Sequence, residues 1–133
     1  MTSARAKRRA PTHVSIVSAN PETLDGLQDY LREAGVRCHS LRTVDDLATV
    51  APESTTAAVI FPDDFDHVAV VALINELRRV RPRLLSLLIT RNPSCLAPAL
   101  GADGRSLPPI VLPRPSFGWE ILDVIRAHSS HDD

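Results

Sequence analysis

The sequence predicts an α/β protein with a doubly wound, five-stranded parallel sheet, and three observations support this fold class. Strand-like and helix-like segments alternate from residue 12 to residue 128, the order expected of a parallel sheet with right-handed crossovers. Residues 56–61 and 84–89 are largely apolar without polar alternation, as in strands covered on both faces. Prolines, glycines and helix-capping residues separate the segments at short intervals.

The first strand–helix unit has the clearest signals. Residues 13–17 are rich in β-branched side chains and alternate in polarity, which predicts a strand. Asn20 suits a helix N-cap, and Pro21 suits the first helical position. Apolar residues then recur at helical spacing until Gly35, a natural helix stop.

The second and third units are predicted from similar patterns. Residues 36–40 form a short second strand, and Thr43 caps a second helix with Asp46 in the capping-box position. Residues 56–61 form the third strand. The third helix begins near Val68 and ends in an arginine-rich turn before Pro82, where cations suit the helix's negative end.

An acidic loop, residues 62–66, joins the third strand to the third helix and contains Asp63, Asp64 and Asp66. Their spacing is not that of a recognised metal-binding loop. Carboxylates before a helix also stabilise its positive end. We therefore expect a helix-capping loop here and no metal site.

The last two units are less regular. Residues 84–89 form the fourth strand, which ends at Thr90. Prolines and glycines between residues 92 and 107 predict a short or broken fourth helix. Residues 110–112 form a fifth strand, and Ser116 is the predicted cap of the last helix.

Composition narrows the possible functions. Of the 15 basic residues, only Lys7 is a lysine, and it lies in the basic segment 1–11, which we expect to be a disordered tail. Chemistry that needs a lysine amine inside the domain is thereby excluded. The net charge of -1 argues against a general nucleic-acid binder. We expect one domain over residues 12–128 and a flexible C-terminus over 129–133.

The location of the protein in the cell is predicted from its cysteines and from its lack of long apolar segments. Cys38 and Cys95 fit no paired metal-ligand spacing, and the chain has no secretory leader, so both are expected to be reduced thiols in a cytoplasmic protein. No apolar run approaches the roughly 18 residues of a membrane span.

Ligands in doubly wound sheets bind where the carboxyl ends of the strands meet. That rule selects as candidate site residues those that follow the predicted strands. They are Ser18, Ala19, Asn20, Pro62, Asp63, Asp64, Thr90, Arg91, Arg114 and Pro115.

The order of these elements resembles the receiver domain of two-component response regulators. The resemblance covers residues 12–128 and is carried by the first strand with Asn20-Pro21, by Thr90, by Gly101-Ala102-Asp103-Gly104 and by Leu112-Pro113-Arg114-Pro115. It implies a flavodoxin-like (βα)5 receiver fold with a degenerate fourth helix, acting in bacterial signal transduction.

The residues that perform receiver chemistry are largely replaced. The resemblance places the metal-binding acid pair at Ser18 and Ala19, neither of which offers a carboxylate. The phosphoryl acceptor falls on Pro62 or, with a one-residue shift, on Asp63. The phosphate-sensing lysine falls on Arg114. Only Thr90 and Pro115 match the family pattern.

Arg114 has two interpretations at this stage. Arginine is a good bidentate phosphate donor, so it could bind an anion. It could instead pair with Asp63 or Asp64 and supply the charge that a metal would bring, which we favour because a site without its acid pair has unbalanced charges.

We therefore predict a stand-alone pseudo-receiver, a non-enzymatic protein-interaction module that works without phosphorylation, cofactor or metal. The resemblance implies a partner face made of the fourth helix, fifth strand and fifth helix, with Leu112 and Trp119 as candidate contacts; self-association through it is left open. Trp119 is either an exposed anchor or a shield for the core edge.

Two alternatives remain. Asp63 could accept phosphate with an atypical Mg²⁺ site, or the strand-end crevice could sense a small ligand.

Overall fold

A computed structural model describes residues 13–44, 55–102 and 104–131. One parallel sheet has the strand order β2-β1-β3-β4-β5. The strand order reverses between β1 and β3, which creates a switch point at their carboxyl ends. The predicted fold class is confirmed. The strands are β1 (His13–Val17), β2 (Arg37–Leu41), β3 (Ala57–Ile60), β4 (Leu85–Thr90) and β5 (Ile110–Pro113).

Three α-helices occur in the described ranges: α1 (Pro21–Glu33), α2 (His67–Val80) and α3 (Gly118–His131). Side-chain caps begin the first two. The Asn20 side chain accepts from the Glu22 N–H at 2.9 Å, as its sequence position predicts. The Asp66 side chain accepts from the Ala69 N–H at 3.3 Å. Gly35 follows α1 with a φ of 87°, a left-handed conformation that glycine adopts without steric cost.

The start of α3 differs from the prediction. Ser116 is not its N-cap, because the helix begins at Gly118 and the Ser116 hydroxyl donates to the Pro113 carbonyl. The Glu120 side chain instead accepts from the Phe117 N–H at 2.8 Å and satisfies a donor at the helix start. The helix continues to His131, past the predicted domain boundary at residue 128.

The predicted degenerate fourth helix is confirmed as a 3₁₀ segment, Pro93–Ala99. Pro98 lies inside it and lacks the N–H that an α-helical ladder needs. Arg78 of α2 secures the segment, since its Nη1 donates to the Ala99 carbonyl at 2.9 Å. The predicted second helix beyond Val44, the segment 1–12, Asp103 and residues 132–133 lie outside the described residues.

The sheet separates two apolar clusters. One cluster packs α1 and α3 against one face, and the other packs α2 and the 3₁₀ segment against the opposite face. The residues of β3 and β4 are all buried, which explains why both strands are largely apolar without polar alternation. In the described ranges, no helix is both long and apolar enough to span a bilayer.

Candidate functional site

The carboxyl ends of the three central strands meet at one edge of the sheet. Val17 pairs with Ile60 in register, so the residues that follow them, Ser18 and Phe61, stand level with each other. The Phe61 N–H donates to the Val17 carbonyl at 3.0 Å. A short 3₁₀ turn, Pro62–Asp64, then directs two carboxylates back over the strand ends.

Asp64 is held by the residues that follow β1. The Ser18 hydroxyl, which is buried, donates to Asp64 Oδ2. The Ala19 N–H donates to the same oxygen at 3.2 Å. Ser18 Oγ also accepts from the Asn20 N–H at 3.1 Å, a local turn that orients the hydroxyl.

Asp63 is held in a similar way by the end of β4. The Thr90 hydroxyl is 2.5 Å from Asp63 Oδ1 and donates to it. The Arg91 N–H donates to Asp63 Oδ2 at 3.0 Å. Thr90 Oγ1 accepts from the Asn92 N–H at 2.9 Å, so each strand-end hydroxyl bonds both a carboxylate and a backbone N–H two residues ahead.

Arg114 joins the two halves of the site. Its Nη1 lies 3.2 Å from Asp64 Oδ1 and 3.9 Å from Asp63 Oδ2, and the three side chains are 17%, 14% and 16% exposed. Its guanidinium carbon lies 5.4 Å from the centre of the Phe61 ring, within cation–π range. The Arg114–Pro115 peptide is cis. The structure thus contains the pairing with the acidic loop that we favoured from the sequence.

These contacts use every carboxylate oxygen of Asp63 and Asp64. Each of the four oxygens has an N–H or O–H donor within 3.2 Å. Mg²⁺ demands near-octahedral oxygen coordination and takes it from open carboxylates. Ser18 and Ala19 add no carboxylate, and no cluster of three metal-ligating side chains occurs among the described residues. The donor set therefore does not fit a receiver-type magnesium ion.

Pro62 and Phe61, which lie next to the two aspartates in sequence, have different places in the site. Pro62 is buried in the 3₁₀ turn and has no polar side-chain atom to contribute. Sequence reasoning missed Phe61, because the sequence places it at the end of the apolar third strand, and it is indeed buried in the core. Phe61 is nevertheless the residue level with Ser18 and the one that Arg114 covers.

The two candidate interface residues also differ. Leu112 is half-buried and packs against the apolar cluster under α1 and α3. Trp119 is 55% exposed, which favours the anchor interpretation over the core shield. Two turns along α3, Arg126 donates to the Ala34 carbonyl at 3.2 Å, so this side of the helix faces the C-terminal end of α1.

Solved structures show the same fold. A CheY-like response regulator receiver domain protein from Methanospirillum hungatei has a TM-score of 0.73 at 19% identity, covering 92% of this chain and 96% of that one. The signal receiver domain of an HD domain-containing protein from Pseudomonas fluorescens has a TM-score of 0.75 at 18% identity, with 92% and 97% covered.

A third match is a response regulator receiver domain protein from Clostridium thermocellum. It has a TM-score of 0.75 at 10% identity and covers 91% of this chain and 96% of that one. No protein-family model and no curated protein sequence matches the chain. At these identities the likeness establishes the receiver fold, and the chemistry must be argued from the site itself.

Proposed function

We propose that this chain is a pseudo-receiver, a protein-interaction module of bacterial, cytoplasmic two-component signalling that works without phosphorylation and without a catalytic residue. The observation that carries the proposal is the closed network of Arg114, Asp63 and Asp64. The receiver fold and the response-regulator neighbours support the signalling context.

The network opposes phosphoryl transfer at its first step. The Thr90 hydroxyl and the Arg91 N–H bond both oxygens of Asp63 and so lower the nucleophilicity of the carboxylate that would have to attack phosphorus. The transferred group also needs cationic stabilisation. The only cation within 4 Å of these two carboxylates in the described structure is Arg114, which already pairs with both.

Phosphate acceptance at Asp63 is the second candidate, and one contact favours it. Thr90, the residue that matches the family's phosphate-contacting hydroxyl, bonds Asp63 directly, so the acceptor and its sensor are already adjacent. Under this alternative Arg114 would release the carboxylates and bind the phosphoryl oxygens instead.

A phosphorylation assay separates the two candidates. The protein is incubated with acetyl phosphate and Mg²⁺, and intact mass spectrometry at acidic pH counts phosphoryl groups. We expect none on the wild type, and an active receiver domain in the same buffer confirms the donor. A phosphoryl adduct that disappears in Asp63→Asn but persists in Asp66→Asn would overturn the proposal.

We further propose that the partner surface includes the last helix, with Trp119 as its anchor. This partner surface is formed by the 3₁₀ segment, β5 and α3, and it includes Ile110, which is 38% exposed. Leu112 packs beneath it against the apolar cluster. Self-association through this face is tested by sedimentation velocity over a concentration series. We expect Ile110→Lys to abolish any dimer that the wild type forms.

A further inference from the structure

Four of the five aromatic residues of the chain gather at one place. The sequence contains only one tyrosine, one tryptophan and three phenylalanines. Tyr30 and Phe61 line a cavity between α1 and the start of α3, and Phe117 and Trp119 flank Gly118, another lining residue. Three of these four rings, Tyr30, Phe117 and Trp119, are 41%, 69% and 55% exposed. We call these four rings and the cavity the aromatic pocket.

The cavity has the size and lining of a binding site. Its volume is about 410 Å³, within the range of pockets that enclose a ligand or a large side chain. Leu27, Ile89 and Ile121 give it apolar walls, while Arg114 and Glu22 stand among its polar lining groups. Phe117 and Trp119 stack on each other outside it, with ring centres 6.3 Å apart and planes 9° from parallel.

Gly26 keeps the cavity open at a cost in helix stability. It lies inside α1, where glycine is about 1 kcal/mol less favourable than alanine. A Cβ at this position would meet no atom within 4 Å, so packing within the chain does not require glycine there. The residue lines the cavity, so a larger side chain would have this space to occupy.

Gly118 has the opposite explanation. A Cβ there would lie 2.8 Å from the Tyr30 ring, so glycine is needed for α3 to pack against that ring. The contact holds Tyr30 in the cavity wall. One glycine therefore leaves space in the cavity, and the other permits the close packing that forms it.

The charge around the cavity favours a cationic partner. Glu22 and Arg114 are the charged residues of its lining and balance each other, so any excess charge comes from the exposed side of α1. On the outer side of α1, Asp25 is exposed. With Glu22 and Asp29, which are also exposed, this side of α1 carries three acids and would attract a positively charged segment.

We propose that the aromatic pocket binds a segment of a partner protein that inserts one aromatic or aliphatic side chain, flanked by lysine or arginine. This inference rests on the proposed interaction role and adds the chemistry of the partner. A protein segment is favoured over a small molecule because Phe117 and Trp119 extend the apolar surface outside the cavity. Exposed aromatic rings beside a pocket are typical of interface hot spots.

Short peptides test both features of the partner. The probes are N-acetylated, C-amidated Lys-Trp-Lys, Glu-Trp-Glu and Lys-Ala-Lys, titrated into ¹⁵N-labelled full-length protein at low salt. We expect Lys-Trp-Lys to shift the amide signals of Leu27, Ile121 and Trp119. Each of the other two peptides should bind roughly tenfold more weakly, since one reverses the charge and the other removes the anchor.

Matched variants locate the binding. Gly26→Leu fills the cavity and should abolish the shifts while α1 stays folded, because leucine is the better helix former. Gly101→Leu is its control, since Gly101 also has open space at its Cβ but lies outside this pocket. Trp119→Ala should weaken binding, whereas Val68→Ala, at an exposed apolar residue of α2, should leave it unchanged.

Three results would overturn the inference: Lys-Trp-Lys shifts no pocket signal, Gly26→Leu still binds it, or Glu-Trp-Glu binds equally well. Free tryptamine that binds as tightly as Lys-Trp-Lys would make this a small-ligand site instead. The phosphorylation assay is independent of these titrations. A negative titration with no phosphoryl adduct would refute this inference and leave the phosphorylation-independent role standing.

Discussion

Removing the charge of Arg114 is the most direct test of the closed network. Arg114→Met keeps the aliphatic stem over Phe61 but leaves Asp63 and Asp64 without their cation. At 3.2 Å and an effective dielectric constant of 20, the lost attraction to Asp64 alone is roughly 5 kcal/mol before desolvation is subtracted. Removing one partner of a fully buried pair costs roughly 3–5 kcal/mol, whereas these side chains are 14–17% exposed.

We expect the cost to fall near the lower end of that range, at about 3 kcal/mol, because four protein donors still bond the carboxylates. For a chain of this size, that corresponds to a thermal midpoint lowered by roughly 10 °C. Urea unfolding followed by circular dichroism gives the free energy, and calorimetry gives the midpoint.

A magnesium titration then tests whether arginine supplies the charge that a metal would bring. In Arg114→Met, Mg²⁺ should raise the thermal midpoint in proportion to the logarithm of its concentration, whereas the wild type should not respond. An unchanged midpoint in Arg114→Met without added metal would refute the reasoning about the pair. A wild type stabilised by Mg²⁺ would refute the conclusion that its site does not fit the ion.

Arg79→Met is the matched control for this change. Arg79 forms a shorter ion pair, 2.6 Å to Glu76, but these side chains are 70% and 47% exposed. Solvent screening should make its removal undetectable in the same unfolding experiment. A comparable loss in both variants would mean that the methionine substitution, and not the burial of the charge, lowers stability.

Three further predictions concern other described residues. Thr90→Val should cost about 1–2 kcal/mol in urea unfolding, because it removes a donor from Asp63 while keeping the volume; no loss would contradict the hydrogen bond. Gly35→Ala should cost about 1 kcal/mol in the same assay, since its φ of 87° strains any residue with a Cβ; a neutral result would contradict that conformation. Burial, and then the charges of His39 and Arg37, lower the pKa of His13 below its ordinary 6.5. The folded chain therefore binds fewer protons than the unfolded chain below about pH 6.5, so the free energy of unfolding should fall there as pH drops. His13→Gln should weaken this pH dependence, which a series of urea unfolding curves at different pH values measures.

The fold was predictable because local signals and burial agree along most of the chain. Asn20 and Pro21 mark the start of α1, and the apolar runs of β3 and β4 match strands covered on both faces. The start of α3 was harder to predict. Ser116 is a good capping residue, but its hydroxyl bonds back to Pro113, and a side chain three residues after Phe117 supplies the cap.

The candidate site was only partly predictable. Composition and strand-end position identified Ser18, Asp63, Thr90 and Arg114, because parallel strands bring their carboxyl ends together. The sequence could not distinguish the two roles of the adjacent aspartates. The 3₁₀ turn directs Asp63 toward β4 and Asp64 toward β1, a division that depends on backbone geometry and not on residue type.

The contribution of α1 to the site could not be predicted from the strand ends. Tyr30 and Gly118 are 88 positions apart in sequence. Their contact depends on how α1 and α3 pack over the same face of the sheet. A glycine inside a predicted helix usually has a packing or functional reason, so Gly26 is the residue whose position in the sequence could have indicated the cavity.

The network and the aromatic pocket meet at Arg114, and this limits how the molecule can receive a signal. In a receiver, the strand-end hydroxyl and the cation respond to an incoming phosphoryl group. Here Thr90 and Arg114 are already bonded to Asp63 and Asp64. Arg114 and Phe61, however, also line the cavity. A partner side chain that enters it would contact the cation directly, so under the proposed role a binding event, and not a covalent one, is the input that reaches the strand ends.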